Sequence, residues 1–178
     1  LLNQALDLGV NFIDTARSYG TSEEVIGKAI GHRRHEYILA SKVHYFPDLH
    51  GDDLQQAVEK SVYDSLHALQ TDCIDIMQVH SVPTNFLRND LLTTLRGFKT
   101  LGYIRFIGAT AYGEDAALQA LNSDHIDCLQ VVYNLVDREM ETQVLPLVQR
   151  RDIGIIARSV LLRGALTRRY TTAPASLR

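Results

Sequence analysis

The chain has 178 residues, 46% hydrophobic and 22% charged, with a formal net charge of −3. This suits a globular chain with a substantial core, read as a single domain over residues 1–178. The weak negative charge and scattered arginines exclude a phosphate-tracking nucleic-acid surface, and no apolar run reaches the roughly 18 residues of a membrane span.

In chain order, "LLNQALDLG" reads as the end of a helix. Six short apolar runs follow, at 10–13, 37–40, 74–79, 104–108, 128–133 and 154–157. None alternates cleanly, so all are expected to be buried on both faces, as parallel strands under helices are. Helical stretches separate them. "TSEEVIGKAIG" offers a capping box, Thr21 with Glu24, an apolar face of Val25, Ile26, Ala29 and Ile30, and a stop at Gly31. "DDLQQAVEKSVYDSLHAL" puts Leu54, Val58, Val62, Leu66 and Leu69 on one stripe. "NDLLTTLRGFKTLG" does the same with Leu91, Leu95, Phe98 and Leu101. "GEDAALQALNS" and "REMETQVLPLVQRRD" complete the set, Pro146 kinking or restarting the last.

Successive runs start 24 to 37 residues apart, long enough for right-handed βαβ crossovers. An open doubly wound sheet would carry a glycine-rich phosphate turn, and neither GxGxxG nor GxxxxGK[ST] occurs. The alternative is a (β/α)8 TIM barrel, which needs eight strands and roughly 250 residues. This chain is expected to hold an incomplete one, with two open sheet edges. Cys73 and Cys128, in "DCID" and "DCLQ", fit no CxxC or metal spacing. They read as small buried thiols, consistent with a cytoplasmic setting.

Barrel enzymes keep their chemistry at the C-terminal strand ends. Here the first three runs lead into Asp14, Lys42 and His80, the fourth into Thr110 and the last into Arg158 and Ser159; Gln130 lies within the fifth. Each has a plainer reading: Asp14 as a strand-end cap, His80 as a core histidine, Lys42 as a snorkelling lysine. Their shared face favours a site. Asp14 would keep Lys42 charged, the ammonium would lower the pKa of Tyr19 toward neutrality, and His80 would donate to a carbonyl oxygen. Such a pocket suits hydride addition to a ketone or aldehyde and implies a nicotinamide. A Schiff-base lyase using Lys42 is a rival that Asp14 opposes. A metal hydrolase is weaker, since His32, His35, His44, His50, His67 and His125 form no ligand cluster, and no metal is expected.

The segments "GVNFIDTARSYGTSEEVIGKAI", "YILASKV", "DCIDIMQVHS", "GYIRFIGATAYG", "LQVVYNLVDR" and "GIIARSVLLRGALT" together resemble the aldo-keto reductase family, in its order and over nearly the whole chain. The resemblance implies a (β/α)8 barrel and reversible carbonyl reduction with NADP(H), less often NAD(H), acting on a small carbonyl or alcohol substrate. It implies Tyr19 as general acid, Lys42 and Asp14 as the pair that tunes it, and His80 as the carbonyl-orienting residue. Gln130 and Thr110 match carboxamide-binding positions, Arg158 the position packed on the nicotinamide, and Ser159, Leu161 and Gly164 the pyrophosphate loop. Ala111 departs from the family, where an asparagine is common, removing one cofactor hydrogen bond. By the family's count the six strands are the second to the seventh; the first and eighth, the 2′-phosphate segment and the C-terminal loop are not represented. The parent chain is expected to be active and the bare piece inactive or unstable. A non-catalytic reductase-like subunit is the remaining alternative. Tyr45, Phe46 and Phe86 are candidate pocket walls.

Overall fold

The computed structural model describes residues 1–82 and 88–168, with the side chains of 81 and 82 left aside. Phe86 lies outside the described residues. The elements run α1 (Leu2–Asp7), β1 (Phe12–Asp14), α2 (Ser22–Ile30), β2 (Ile38–Val43), α3 (Gly51–Leu69), β3 (Ile74–Val82), α4 (Asn89–Thr100), β4 (Ile104–Ala111), α5 (Glu114–Leu121), β5 (Cys128–Val132), α6 (Val144–Arg151) and β6 (Gly154–Arg158). All six strands are parallel and lie in sequence order, β1 to β6. This is an open, curled, incomplete barrel of the TIM type.

Residue parity along the strands divides the sheet into two faces. The outer face packs Leu39, Val43, Met77, Val79, Ile107, Ala109, Leu129 and Val131 against the helices. The inner face carries a smaller cluster of Ala40, Ile76 and Cys128, with Phe12 and Ile156 against it. Near-complete burial holds for the central strands only. Ile38 and Phe106 are about half exposed and Gly154 is exposed, because an open barrel leaves part of its lumen to solvent, and Ala157 is exposed on the outer face of the edge strand β6.

Local expectations fail in instructive places. Thr21 makes no side-chain cap, and its hydroxyl does not hold the first turn of α2. Gly31 does not end the helical path, which continues as a 3-10 segment over Gly31–Glu36. Val25 and Leu101 are exposed, so neither belongs to the buried stripe of its helix. Pro146 sits in the first turn of α6, where a missing N–H costs nothing. Cys128 is buried, which pushes its thiol up to about 12, but Cys73 is only half-buried.

Several strands run past their apolar cores. Lys42 lies inside β2, His80 inside β3, Thr110 inside β4 and Arg158 at the end of β6. Ladder pairing is continuous from Lys42 to Gln78 and Gly108, and from Thr110 to Gln130 and Ile156. Gly108 is required where it stands. A Cβ there would come within 2.7 Å of Cys128 Sγ and 3.0 Å of Gln78 Cγ. Its absence lets Gln78 cross the lumen.

Candidate active site

Strand parity puts Asp14, Lys42, Gln78, His80, Thr110, Gln130 and Arg158 on the inner face, toward the C-terminal end of the sheet. Asp14 is the hub. Its Oδ2 accepts from Lys42 Nζ at 2.7 Å. Its Oδ1 accepts from Gln78 Nε2 at 3.0 Å and from Gln130 Nε2 at 3.1 Å. Lys42 Nζ also donates to the Thr15 carbonyl at 2.7 Å. The lysine is 1% exposed. Burial lowers its pKa, and the hydrogen bond to Asp14 only partly opposes that.

The segment between β1 and α2 folds back over this hub. Arg17 N donates to the Lys42 carbonyl at 3.4 Å and Thr15 N to the Ala40 carbonyl at 2.9 Å. Glu23, buried at the start of α2, accepts from Ser41 Oγ at 2.6 Å and from Arg17 Nη1 at 2.8 Å. These contacts hold the turn that carries Tyr19, and Gly20 closes it at φ 58. Lys42 Nζ lies 5.1 Å from the centre of the Tyr19 ring. The His80 ring meets the Tyr19 ring edge-on, with 5.6 Å between centroids. Among the described residues, Tyr19 Oη makes no hydrogen bond, and the tyrosine is 48% exposed.

Asp14, Tyr19, Lys42 and His80 are therefore brought together. The electrostatic expectation for Tyr19 is overturned. Burial raises its pKa above the ordinary value of 10, Asp14 and Tyr112 raise it further, and Arg158 alone opposes them. His80 is held below the usual histidine value by burial first, then by Lys42 and His44. Its Nδ1 lies 3.1 Å from Ser18 Oγ. The irregular register between Val79 and Val82 marks the point where β3 presents His80, a common way to re-aim a side chain beside a site.

A cavity of about 350 Å³ opens beside this group, with Ser18, Lys42, His44, Phe46 and His80 in its lining. Tyr45 stacks on His44 behind that wall. A larger cavity, about 650 Å³, lies at the opposite end of the sheet, around Arg34, Asp75 and Arg105. Arg105 Nη1 is 3.0 Å from Asp75 Oδ1, and Arg34 also pairs with Asp75. That end of a barrel serves stability.

Thr110 and Gln130 are buried on the same inner face as Asp14. The Arg158 guanidinium lies 4.0 Å from the centre of the Tyr112 ring, and its Nη2 is buried without a partner among the described residues. Ser159, Leu161 and Gly164 lie on the turn after β6, with Ser159 at φ 57 and Gly164 at φ 90. No hydrogen bond ties these three to Asp14 among the described residues. Asn134 Nδ2 reaches the Ser159 carbonyl at 3.3 Å and braces that turn. Ala111 is buried in the helix-facing core, so no polar group stands there. Sequence reasoning missed Gln78, Glu23 and Ser18. Gln78 shares strand parity with His80, which was the available signal.

A family model described as the aldo/keto reductase family matches residues 1–177. The chain belongs to that family. It is 33% identical to the aldo-keto reductase YhdN of Bacillus subtilis over 179 residues, covering 96% of this chain and 54% of that protein. It is 31% identical to the NADH-specific methylglyoxal reductase of Escherichia coli, covering 91% of this chain and 57% of that protein. The chain thus spans about half the length of these curated relatives. Among solved aldo-keto reductases, the holo form of one from Bacillus halodurans superposes with a TM-score of 0.84 at 30% identity, over 98% of this chain and 60% of that one. One from Klebsiella pneumoniae, in complex with NADP and acetate, gives 0.79 at 29% identity, over 94% and 59%. No described helix is long and apolar enough to cross a membrane.

Proposed function

We propose that the full-length protein containing this chain reduces a small aldehyde or ketone to an alcohol, reversibly, with a nicotinamide cofactor. The observation that carries the reading is the convergence of Asp14, Lys42, Tyr19 and His80 at one end of the sheet. Tyr19 is the general acid, His80 orients the carbonyl oxygen, and Lys42 with Asp14 sets the field around both.

Fit to the cofactor is argued from Arg158. A buried guanidinium N–H without a partner is costly, and a polar ligand over the Tyr112–Arg158 pair relieves that cost. Thr110, Gln130 and Arg158 would hold the nicotinamide end. The left-handed turn with Ser159, Leu161 and Gly164 would take the pyrophosphate. When bound, the cofactor supplies the hydride. As charge develops on the carbonyl oxygen, His80 holds that oxygen and Tyr19 delivers its proton to it. The alcohol leaves, and water reprotonates the phenolate. Lys42 donates to two acceptors, and the Asp14 carboxylate favours its ammonium form, which has no lone pair for a Schiff base.

NADP(H) is favoured over NAD(H), on the strength of the Klebsiella complex. The Escherichia coli relative is named for NADH, so the choice is tested directly. Cofactor fluorescence quenching is measured with NADPH and NADH in separate titrations. Tighter NADPH binding supports the assignment, and binding of neither contradicts the reductase reading.

The acidity of Tyr19 gives a second test. Reduction needs the protonated phenol, and the folded protein holds its pKa above 10. The reductive kcat/KM is expected to lack a Tyr19 limb through neutral pH and to fall only above pH 10. Alcohol oxidation needs the phenolate and is expected to rise over that same alkaline range. Profiles measured in both directions check the sign.

A further inference from the structure

His44 lies just beyond β2, two residues after Lys42, and lines the same cavity as Lys42 and His80. The carbonyl chemistry above gives it no task. Its imidazole is nevertheless held on three sides. The Phe46 N–H donates to Nδ1 at 3.1 Å. The Tyr45 ring stacks on it with centroids 4.6 Å apart, and the Phe46 ring meets it edge-on at 5.6 Å. A backbone amide can only donate, so Nδ1 is the unprotonated nitrogen and the ring proton sits on Nε2. The turn that secures this holds Phe46 at φ 47, a left-handed conformation unfavourable for a bulky side chain. Strain of this kind persists where surrounding contacts over-determine it, and it concentrates at ligand sites. With the Nδ1 edge turned to its own backbone, Nε2–H is the donor left for the cavity.

We propose that His44 is a second hydrogen-bond donor in this site and that the substrate carries another oxygen on the carbon next to the reacting carbonyl, as in α-oxo and α-hydroxy carbonyl compounds. The inference rests on the carbonyl-reductase reading. His80 takes the oxygen that becomes the alcohol, and His44 takes the neighbouring oxygen, which stays unchanged. Both rings line one cavity of about 350 Å³, near the small end of ligand pockets, so one bound substrate can reach both.

The test measures kcat/KM of the full-length protein for butanone, diacetyl and acetoin, in the wild type, His44→Phe and His44→Gln. Diacetyl is intrinsically more reactive than butanone, but equally so for every variant. A change in the diacetyl-to-butanone ratio therefore isolates the side chain. His44→Phe is expected to lower that ratio, and the acetoin-to-butanone ratio, about three- to tenfold, the usual share of one neutral hydrogen bond. His44→Gln keeps an N–H donor and is expected to recover most of it. Ratios unchanged in His44→Phe, with butanone still reduced, overturn the role of His44 and leave the reductase reading standing. A wild type that binds cofactor yet reduces none of the three overturns both.

Discussion

Replacing Tyr19 by phenylalanine in the full-length protein is expected to lower carbonyl reduction about 10²- to 10⁴-fold, the usual share of a positioned general acid. The ring stays, so its edge-on packing with His80 and its place beside Lys42 are kept. Tyr19 Oη has no hydrogen-bond partner among the described residues, so its removal strands no other group and stability should change little. Cofactor affinity should therefore be retained while turnover collapses, and the alkaline limb of the pH profile should vanish with the hydroxyl. Single-turnover kinetics with saturating cofactor separate the loss of chemistry from a loss of binding. A variant that keeps most of the wild-type rate removes Tyr19 from the mechanism.

The second large effect is expected from Asp14→Ala. This change takes one acceptor away from three donors at once: Lys42 Nζ, Gln78 Nε2 and Gln130 Nε2. Breaking a buried ion pair from one side costs about 3–5 kcal/mol, and the partial exposure of Asp14 places this case near the lower figure. Asp14→Asn keeps an acceptor for the glutamines and should cost less. The sign of the pH dependence follows from Lys42. Burial already lowers its folded pKa below the ordinary 10.5, and the Asp14 hydrogen bond is the main opposing influence. Without Asp14 the folded pKa drops further. Between that lowered value and 10.5 the unfolded chain binds more protons than the folded one, so stability rises with pH. The deficit of Asp14→Ala should thus be largest near neutrality and narrow as the pH approaches 10. Urea unfolding at several pH values measures it. A deficit that does not change with pH would mean that Lys42 is not the group left uncompensated.

The strand order and the incomplete barrel were legible because central parallel strands bury both faces, and five of the six runs already coincide with strand cores. Strand ends were harder to read, for a physical reason. At the C-terminal ends the inner positions become polar, as at Lys42, His80 and Thr110. The alternating outer positions, Val43 and Ala111 among them, still pack on the helices. An apolar count stops too early there, while the ladder continues. The hub role of Asp14 was also only half visible. Its pairing with Lys42 follows from sharing an end of the sheet, but the two glutamines reach it across the lumen, and one of them needs the space that Gly108 leaves. Glu23 resembles any acid in a first helical turn, and nothing local marks it as the buried anchor of the Tyr19 turn. The direction of the Tyr19 shift was out of reach of the sequence, because it depends on burial and on Tyr112 and Arg158, which lie far along the chain.

The most direct measurement is NADPH absorbance, followed in the full-length protein with a panel of small aldehydes and ketones, for the wild type and Tyr19→Phe in parallel. The account predicts carbonyl-dependent loss of NADPH in the wild type and its near-complete loss in Tyr19→Phe, with cofactor still bound. A wild type that binds NADPH but consumes none with any carbonyl, or a Tyr19→Phe variant as fast as the wild type, would contradict it.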